Sequence, residues 1–451
     1  MLNDTIVAPI TPLFMSAVGT LRISGSEAIQ ITEKIFSKPL KEEKTHTLHH
    51  GFIFDENDQV VDDVVVALYR NPSSYTGEDV VEISCHGSVF IINKMQKLIV
   101  ANGARLAQNG EFSKRAFLNG KMDIAQAEAV IDLIETESEN EAAVALGHLR
   151  GFLSKEINEI RQSLLDIVSQ ILAYIDYPDD EIGEVSYEEL EQTIRISLEK
   201  VEKLEKSFNV GQIIKNGIKV SILGKPNVGK SFIMNRLLGY ERSIVTDIAG
   251  TTRDVVEERA TLGGIKLYIS DTAGIRGTED IVEKIGVEKA MENVQNSDLA
   301  LCVFDSSRPA DNEDKEVIKT LKALKIKKIA IINKTDLKSV FDEKLLTDFD
   351  KKIYLSAKEN IGFEELEKAT AELFSQGLSI KSNEIITNQR QYQCLVKAKE
   401  ALTESLNDIL MTPDIILINI EAALEALSMI VGKSVNEEIV ENIFSRFCVG
   451  K

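Results

Sequence analysis

The sequence predicts a chain that is α/β plus all-α: a small α/β domain at the amino end, a helical domain built from two chain segments, and a second α/β domain inserted between them. Three observations carry this reading. Short β-branched runs with turn signals fill residues 1–119. Apolar residues at helical spacing occupy two stretches far apart in the chain. Between those stretches, apolar runs alternate with helical text, the βα alternation of a mostly parallel sheet covered on both faces.

Size and composition allow this. The chain has 451 residues, 43% apolar and 27% charged; at roughly 100–200 residues per domain it holds about two to four domains with cores of their own. Such apolar content excludes a mainly disordered chain. A formal charge of −20 repels bulk nucleic acid and argues against a non-specific RNA or DNA coater. Cys85, Cys302, Cys394 and Cys448 lie far apart without a CxxC pair, so the expectation is a reducing compartment rather than a disulfide framework or a zinc site. Residues 5–21 carry no charge, but Asp4 stands where a signal peptide is positive, and Pro9 and Pro12 interrupt the run. No other stretch approaches the ~18 apolar residues of a membrane span. A cytoplasmic protein is expected.

In domain 1–119, Asp63–Leu68 and Val80–Ile83 read as strands, and Asn71-Pro72 and Asn102-Gly103 as turns. The first helical segment, 120–213, is rich in Ala, Leu, Ile and Glu. From about Asp123 to Asp176 it keeps apolar residues three and four apart (Ala127, Val130, Ile134; then Ile157, Ile160, Leu164, Ile167, Ile171), a long helical stretch that resumes over Glu188–Phe208. The second segment, 378–451, repeats the spacing with Leu395, Ala398, Leu402 and Ile409, then Ile420, Leu424, Leu427 and Val431. In the insert, 214–377, the runs Lys219–Leu223, Lys266–Ile269, Leu299–Phe304 and Ile329–Ile332 read as strands. Helical text lies at 281–296, 313–325 and 362–374.

The insert carries the chemistry. Gly224 to Ser231 fits GxxxxGK[ST] between a predicted strand and a predicted helix, as a phosphate-cradling loop requires. Its glycines let backbone N–H groups face phosphates, Lys230 reaches the terminal phosphates, and Ser231 suits Mg²⁺. Asp271-Thr272-Ala273-Gly274 closes the next apolar run, Asn333-Lys334-Thr335-Asp336 another, and Ser356-Ala357-Lys358 the last. A carboxylate at Asp336 accepts from guanine's ring N–H and exocyclic amine together, a contact adenine cannot supply. The nucleotide read from this order is GTP, and the insert a Ras-like P-loop GTPase (G) domain. Ile275 stands where Ras-type enzymes carry the water-orienting Gln, and all five histidines precede residue 150. Another source of transition-state charge and water positioning is therefore needed.

Pro226-Asn227-Val-Gly-Lys-Ser231, together with Val245-Thr246-Asp-Ile-Ala-Gly-Thr251-Thr252-Arg253-Asp254, resembles the tRNA-modification GTPase family MnmE, also called TrmE. The likeness runs end to end, through Asp4-Thr-Ile-Val-Ala8, Tyr75-Thr-Gly-Glu-Asp-Val-Val-Glu82, Gly110-Glu-Phe-Ser-Lys-Arg-Ala-Phe-Leu-Asn119 and Phe447-Cys-Val-Gly-Lys451. The resemblance implies that Asn227, Val228, Gly229, Lys230, Ser231 and Phe232 contact GTP. It implies the same of Thr246, Asp247, Ile248, Ala249, Gly250, Thr251 and Thr252, of Asp271, Thr272, Ala273 and Gly274, and of Asn333, Lys334, Asp336, Ser356 and Ala357. It implies K⁺ on Asn227 with the Thr246, Ile248 and Thr251 region, standing in for an arginine finger, and Mg²⁺ on Ser231 and Thr252. Glu283 would position the attacking water and act with Lys230 in catalysis. The resemblance further implies a homodimer whose G domains associate, and a heterotetramer with MnmG, a partner that carries FAD. With tRNA as substrate, the pair would add a carboxymethylaminomethyl group to the wobble uridine. The amino-terminal domain would bind a tetrahydrofolate one-carbon donor (5-formyl or methylene form) through Arg22, Glu82, Lys121 and Lys451, and would dimerise.

This chain departs from the family at Leu13-Phe-Met-Ser-Ala17, where relatives have a Gly-rich run; bulky residues cannot take glycine-only conformations, so the loop is shaped differently. Cys448 is expected to be a packed C-terminal thiol. Two other readings are weaker. A ribosome-assembly GTPase shares the phosphate loop but adds a basic or KH-type RNA domain, whose GxxG loop is not found after residue 377. A folate-dependent one-carbon enzyme with merely regulatory GTP differs in that labelled folate carbon would be transferred without the partner.

Overall fold

A computed structural model describes residues 4–176, 187–239, 257–270, 294–375, 385–434 and 437–451. The chain forms two compact units, one of Met1–Ile131, His148–Ile194 and Glu400–Lys451, the other of Asp132–Gly147 and Arg195–Lys399.

The first unit opens with a sheet of β1 (Ile6–Pro9), β2 (Val18–Ser24), β3 (Thr47–Phe54), β4 (Val60–Tyr69), β5 (Val80–His86) and β6 (Arg105–Leu106), in the order β3-β4-β5-β2-β1-β6. All neighbours are antiparallel except β1 and β6. Alternate residues of β2, β4 and β5 (Leu21, Ile23, Val64, Val66, Leu68, Val81, Ile83) face a core shared with Ala28 and Ile31 of α1 (Ala28–Glu33) and with Ile92, Met95 and Ile99 of α2 (Val89–Ala101). The opposite face presents Leu48, Phe52, Val60 and Val65 to solvent. Both predicted strands are present, each longer than its apolar run. In the Leu13–Ala17 loop, Leu13, Phe14 and Met15 are exposed.

Helices α3 (Glu111–Leu118) and α4 (Ile124–Ile134) follow, then α5 (Glu139–Leu149), α6 (Phe152–Asp176) and α7 (Tyr187–Asn216). The long helical stretch expected from Asp123 to Asp176 is thus broken twice. Ser138 Oγ accepts from Glu141 N, and Glu141 Oε2 from Glu137 N, a reciprocal cap that starts a new helix at Glu139. The second break is at Gly151, whose φ of +80° ends helical geometry. Ile134, expected on the buried stripe, ends α4 and is exposed.

The second unit holds β7 (Ile218–Leu223), α8 (Lys230–Gly239), β8 (Glu257–Leu262), β9 (Ile265–Ser270), β10 (Leu299–Asp305), α9 (Asn312–Lys322), β11 (Lys327–Asn333), β12 (Lys351–Leu355) and α10 (Phe363–Ser375). Its sheet order is β12-β11-β10-β7-β9-β8, parallel except for the β8–β9 hairpin. Leu299, Leu301 and Val303 point into one core, Ala300, Cys302 and Phe304 into another, so both faces are covered. That is why β10 reads as an unbroken apolar run.

After α11 (Gln389–Asn407), α12 (Pro413–Val431) packs along α6. Ile157, Ile160, Leu164, Ile167 and Ile171 are buried on α6, as are Ile420, Leu424, Leu427 and Val431 on α12. Arg161 Nε donates to Ser428 Oγ across this contact (2.8 Å). Helix α13 (Glu437–Ser445) sits on α3, and Phe444 and Phe447 enter a core with Ile124, Ala127 and Val130. The last residues then bridge to the first domain, with Val449 opposite Asn109 and Phe112 N donating to Lys451 O (3.1 Å). Cys448 is exposed, not packed; in this extended tail Phe447 and Gly450 turn inward instead.

Candidate functional site

The phosphate loop leaves β7 at Gly224 (φ +145°) and enters α8 at Lys230, with Asn227 (φ +62°) and Gly229 (φ +105°) also left-handed. At Gly229 a Cβ would collide with the Asn333 amide, so the glycine is required by packing as well as by dihedral. Lys230 Nζ donates to Gly224 O (2.7 Å) and Lys225 O (2.6 Å), which holds the ammonium over the loop. Burial pulls its pKa below the ordinary lysine value. Ser231 and Phe232 are exposed on the first turn of α8, and Asn227 is exposed on the loop's crown, whereas Val228 is buried.

Asn333, at the end of β11, ties three loops together. Its Nδ2 donates to Val228 O (2.7 Å) in the phosphate loop, and its Oδ1 accepts from Ala357 N (3.0 Å). Lys334 follows with φ +66°, and its Nζ reaches Asp305 Oδ2 at 2.6 Å. Asp336 Oδ1 accepts from Ser356 Oγ (2.6 Å), and this bond holds its carboxyl below the usual range. A carboxylate so fixed is charged and oriented at neutral pH, as a guanine reader must be.

In the first unit, the β2–β5 register sets Arg22 opposite Glu82. Arg22 Nε donates to Glu82 Oε1 (2.8 Å), and its guanidinium lies 5.0 Å from the Tyr75 ring centre and 5.6 Å from that of Phe112. Arg22 Nη1 is buried without a hydrogen-bond partner among the described residues. Lys121 Nζ donates to Pro72 O (3.0 Å), at the start of the turn that carries Tyr75. Lys451 joins through Phe112, whose N–H it accepts. The same domain holds a charge network centred on a buried arginine. Arg115, 1% exposed, pairs with Glu78 (3.2 Å), Glu111 (3.0 Å) and Asp4 (2.8 Å).

A cavity of about 280 Å³ in the second unit is lined by Glu137, Glu141, Arg259, Lys266 and Tyr268 and by no nucleotide-loop residue. Its charges satisfy one another: Lys266 pairs with Glu141 and Glu137, and Arg259 with Glu137.

Comparison with known proteins decides the family. A model of the MnmE helical domain matches residues 124–448, and one of the TrmE N-terminus, described as a GTP-binding protein, matches 5–121. The tRNA modification GTPase MnmE of Thermoanaerobacter pseudethanolicus is 42% identical over all of both chains. The chain belongs to the MnmE family. The protein of that name from Clostridioides difficile is 41% identical, again over all of both chains. A likeness to the solved G domain of the T. maritima FeoB iron transporter, 26% identical over 35% of this chain and 99% of that one, has a TM-score of 0.27 and does not bear on the fold.

In this MnmE chain the structure brings Asn227, Val228, Gly229, Lys230 and Ser231 into one cradle with Asn333, Ala357, Asp336 and Ser356. Thr246, Asp247, Ile248, Ala249, Gly250, Thr251, Thr252, Asp271, Thr272, Ala273, Gly274 and Glu283 lie outside the described residues. Arg22 and Glu82, expected as separate ligand contacts, are paired with each other. Sequence reasoning missed Tyr75, Phe112, Glu78 and Arg115, although all four lie inside the two motifs Tyr75–Glu82 and Gly110–Asn119. The signal was there: Tyr75–Glu82 sets an aromatic ring beside acidic residues, and Gly110–Asn119 sets Phe112 beside both charge signs.

Proposed function

We propose that this MnmE-family chain is a K⁺-activated GTPase whose G domains dimerise as it acts with an MnmG-type FAD protein on the wobble uridine of tRNA. The observation that carries the GTPase reading is the Asn333 junction, which holds the phosphate loop and the guanine-reading loops in one frame. Within it, Lys230 meets the terminal phosphates, backbone N–H groups at the start of α8 face them, and Asp336 selects guanine.

The donor chemistry fits both ions. The exposed Ser231 hydroxyl is a hard oxygen suited to Mg²⁺, with Thr252 completing the pair. The exposed Asn227 amide, with Thr246, Ile248 and Thr251, offers the neutral oxygens a monovalent cation takes. Bound K⁺ supplies fixed positive charge where an arginine finger otherwise acts. Glu283 orients the water in place of the missing Gln.

The buried, unpartnered Arg22 Nη1 between two aromatic rings supports a tetrahydrofolate derivative in the first unit, since it leaves a donor for a ligand acceptor. Arg22, Glu82, Lys121 and Lys451 would hold it. Homodimerisation, the heterotetramer with MnmG and a cytoplasmic location belong to the same proposal; among the described residues no helix is long and apolar enough to cross a membrane.

The test is GTP turnover in matched KCl and NaCl. The reading expects a sharp fall in NaCl, and equal rates would sink the cation assignment. Nucleoside analysis of tRNA from a strain lacking the gene tests the substrate: an unchanged wobble uridine would overturn it.

A further inference from the structure

One loop, between β10 and α9, is bolted to both halves of the nucleotide cradle. At its far end Lys225, the residue after Gly224, is charged yet only 7% exposed in its side chain. Its ammonium pairs with Asp311 and lies 3.2 Å from Glu313 and 3.6 Å from Asp314. Asp311 does two jobs at once. Its Oδ1 caps α9 by accepting from Glu313 N (3.0 Å) and Asp314 N (3.2 Å), while Asp314 Oδ2 accepts from Asp311 N. At the near end, Asp305 Oδ2 accepts from Lys334 Nζ (2.6 Å), and Ser306 Oγ donates to Lys334 O (2.9 Å). Arg308 stands between, 3.9 Å from the carboxylates of both Asp305 and Asp311. Charges of alternating sign therefore run Lys334, Asp305, Arg308, Asp311, Lys225, from the guanine-reading loop to the phosphate loop.

Helix capping alone does not explain this. Asp311 caps α9 without any lysine, and a Met at position 225 would pack its stem as well as Lys. The covered Lys225 side chain keeps its ammonium against carboxylates that stand at the start of α9, so the cluster resists movement of the phosphate loop away from that helix. Resting on the GTPase reading above, we propose that Lys225 and Asp311 are positioning residues of the GTP site. Through them the β10–α9 loop keeps the phosphate loop and the guanine-reading loop at one spacing, and so sets how long a guanine nucleotide stays bound.

The experiment uses the full chain with a fluorescent GDP for release rates and GTP for steady-state kinetics. Lys225→Met keeps the aliphatic stem, Asp311→Asn keeps an N-cap acceptor, and Lys225→Arg restores the charge. Lys225→Met should speed GDP release and raise the KM for GTP by about tenfold, with kcat changed far less, and Asp311→Asn should act in the same direction but less, because Glu313 and Asp314 still face the ammonium. Lys225→Arg should stay near wild type. The double variant Lys225→Met/Asp311→Asn should be no worse than Lys225→Met alone, because Asp311 acts through the Lys225 ammonium. Wild-type release and KM in Lys225→Met would overturn the proposal, as would additive effects in the double variant, or a loss confined to kcat and melting temperature. A wild-type chain that binds no guanine nucleotide would instead bring down the GTPase reading, and this proposal with it.

Discussion

Asn333 does most of its work through two hydrogen bonds that span the second unit, to Val228 O and from Ala357 N. Asn333→Ala deletes both and leaves the Val228 carbonyl buried without this donor. The expected cost is about 2–3 kcal/mol in GDP affinity, roughly a hundredfold, read by titration with a fluorescent GDP; a change under threefold would refute the junction's role. The motif itself was legible because guanine chemistry demands an Asp at a strand end. The bond to Val228 was not, since nothing local to residue 333 announces a partner in the phosphate loop. The same holds for Arg22. The family resemblance put it among the ligand contacts, while the cross-strand register that hands it Glu82 emerges only from the folded sheet.

At the scale of elements, packing decides where glycine is obligatory. Gly211 sits inside α7, and a Cβ there would collide with the Ile386 carbonyl. Ile386 N in turn donates to Ser207 Oγ one turn earlier on α7 (3.0 Å), and Phe208 stacks on Tyr392 with ring centres 4.2 Å apart. Gly211→Ala gains about 1 kcal/mol of helix propensity, but overpacking against a fixed backbone costs about 1–3 kcal/mol. The variant should be net destabilised, seen as a lower urea midpoint; a raised midpoint would mean the chain near Ile386 yields freely. Strands buried on both faces, such as β10 and β11, were readable as unbroken apolar runs. Strands β3 and β8 were not. β3 leaves Leu48 and Phe52 in solvent and β8 carries Glu and Arg, so neither shows a simple alternation. The helical stretch from Asp123 was read without its two breaks because Ala-rich text hides a cap at Ser138 that only the bond from Glu141 N exposes.

At the scale of the whole molecule, acid stability depends on the carboxylates gathered around Arg115 and Arg105 in the first unit. Burial opposes ionisation of Asp4 and Glu111, yet hydrogen bonds from Arg105 and the charge of Arg115 hold both carboxyls below their usual range. Carboxyls depressed in the folded state stabilise it fully above the unfolded pKa and lose that contribution as pH falls through the folded value. Melting followed by circular dichroism should therefore change little for these groups from pH 8 to pH 5 and fall steeply below about pH 4. Arg115→Met removes the buried cation from Glu78, Glu111 and Asp4 but leaves Arg105 on Glu111 and Ser24 on Glu78, so it should lower stability by about 1–3 kcal/mol at neutral pH; an unchanged melting temperature would show that water reaches these carboxylates.

The packing of α12 along α6 also constrains the order in which a ribosome can finish the protein. The apolar stripe of α6 leaves the exit tunnel early and has no α12 to cover it until the chain passes Pro413, by which time the parallel sheet and its phosphate loop are already made. Lys451, which lies further along the chain still, accepts from Phe112 N beside Arg22. A chain stalled between α6 and Pro413 would therefore carry a complete phosphate loop alongside a bare apolar stripe on α6 and an amino-terminal site without Lys451.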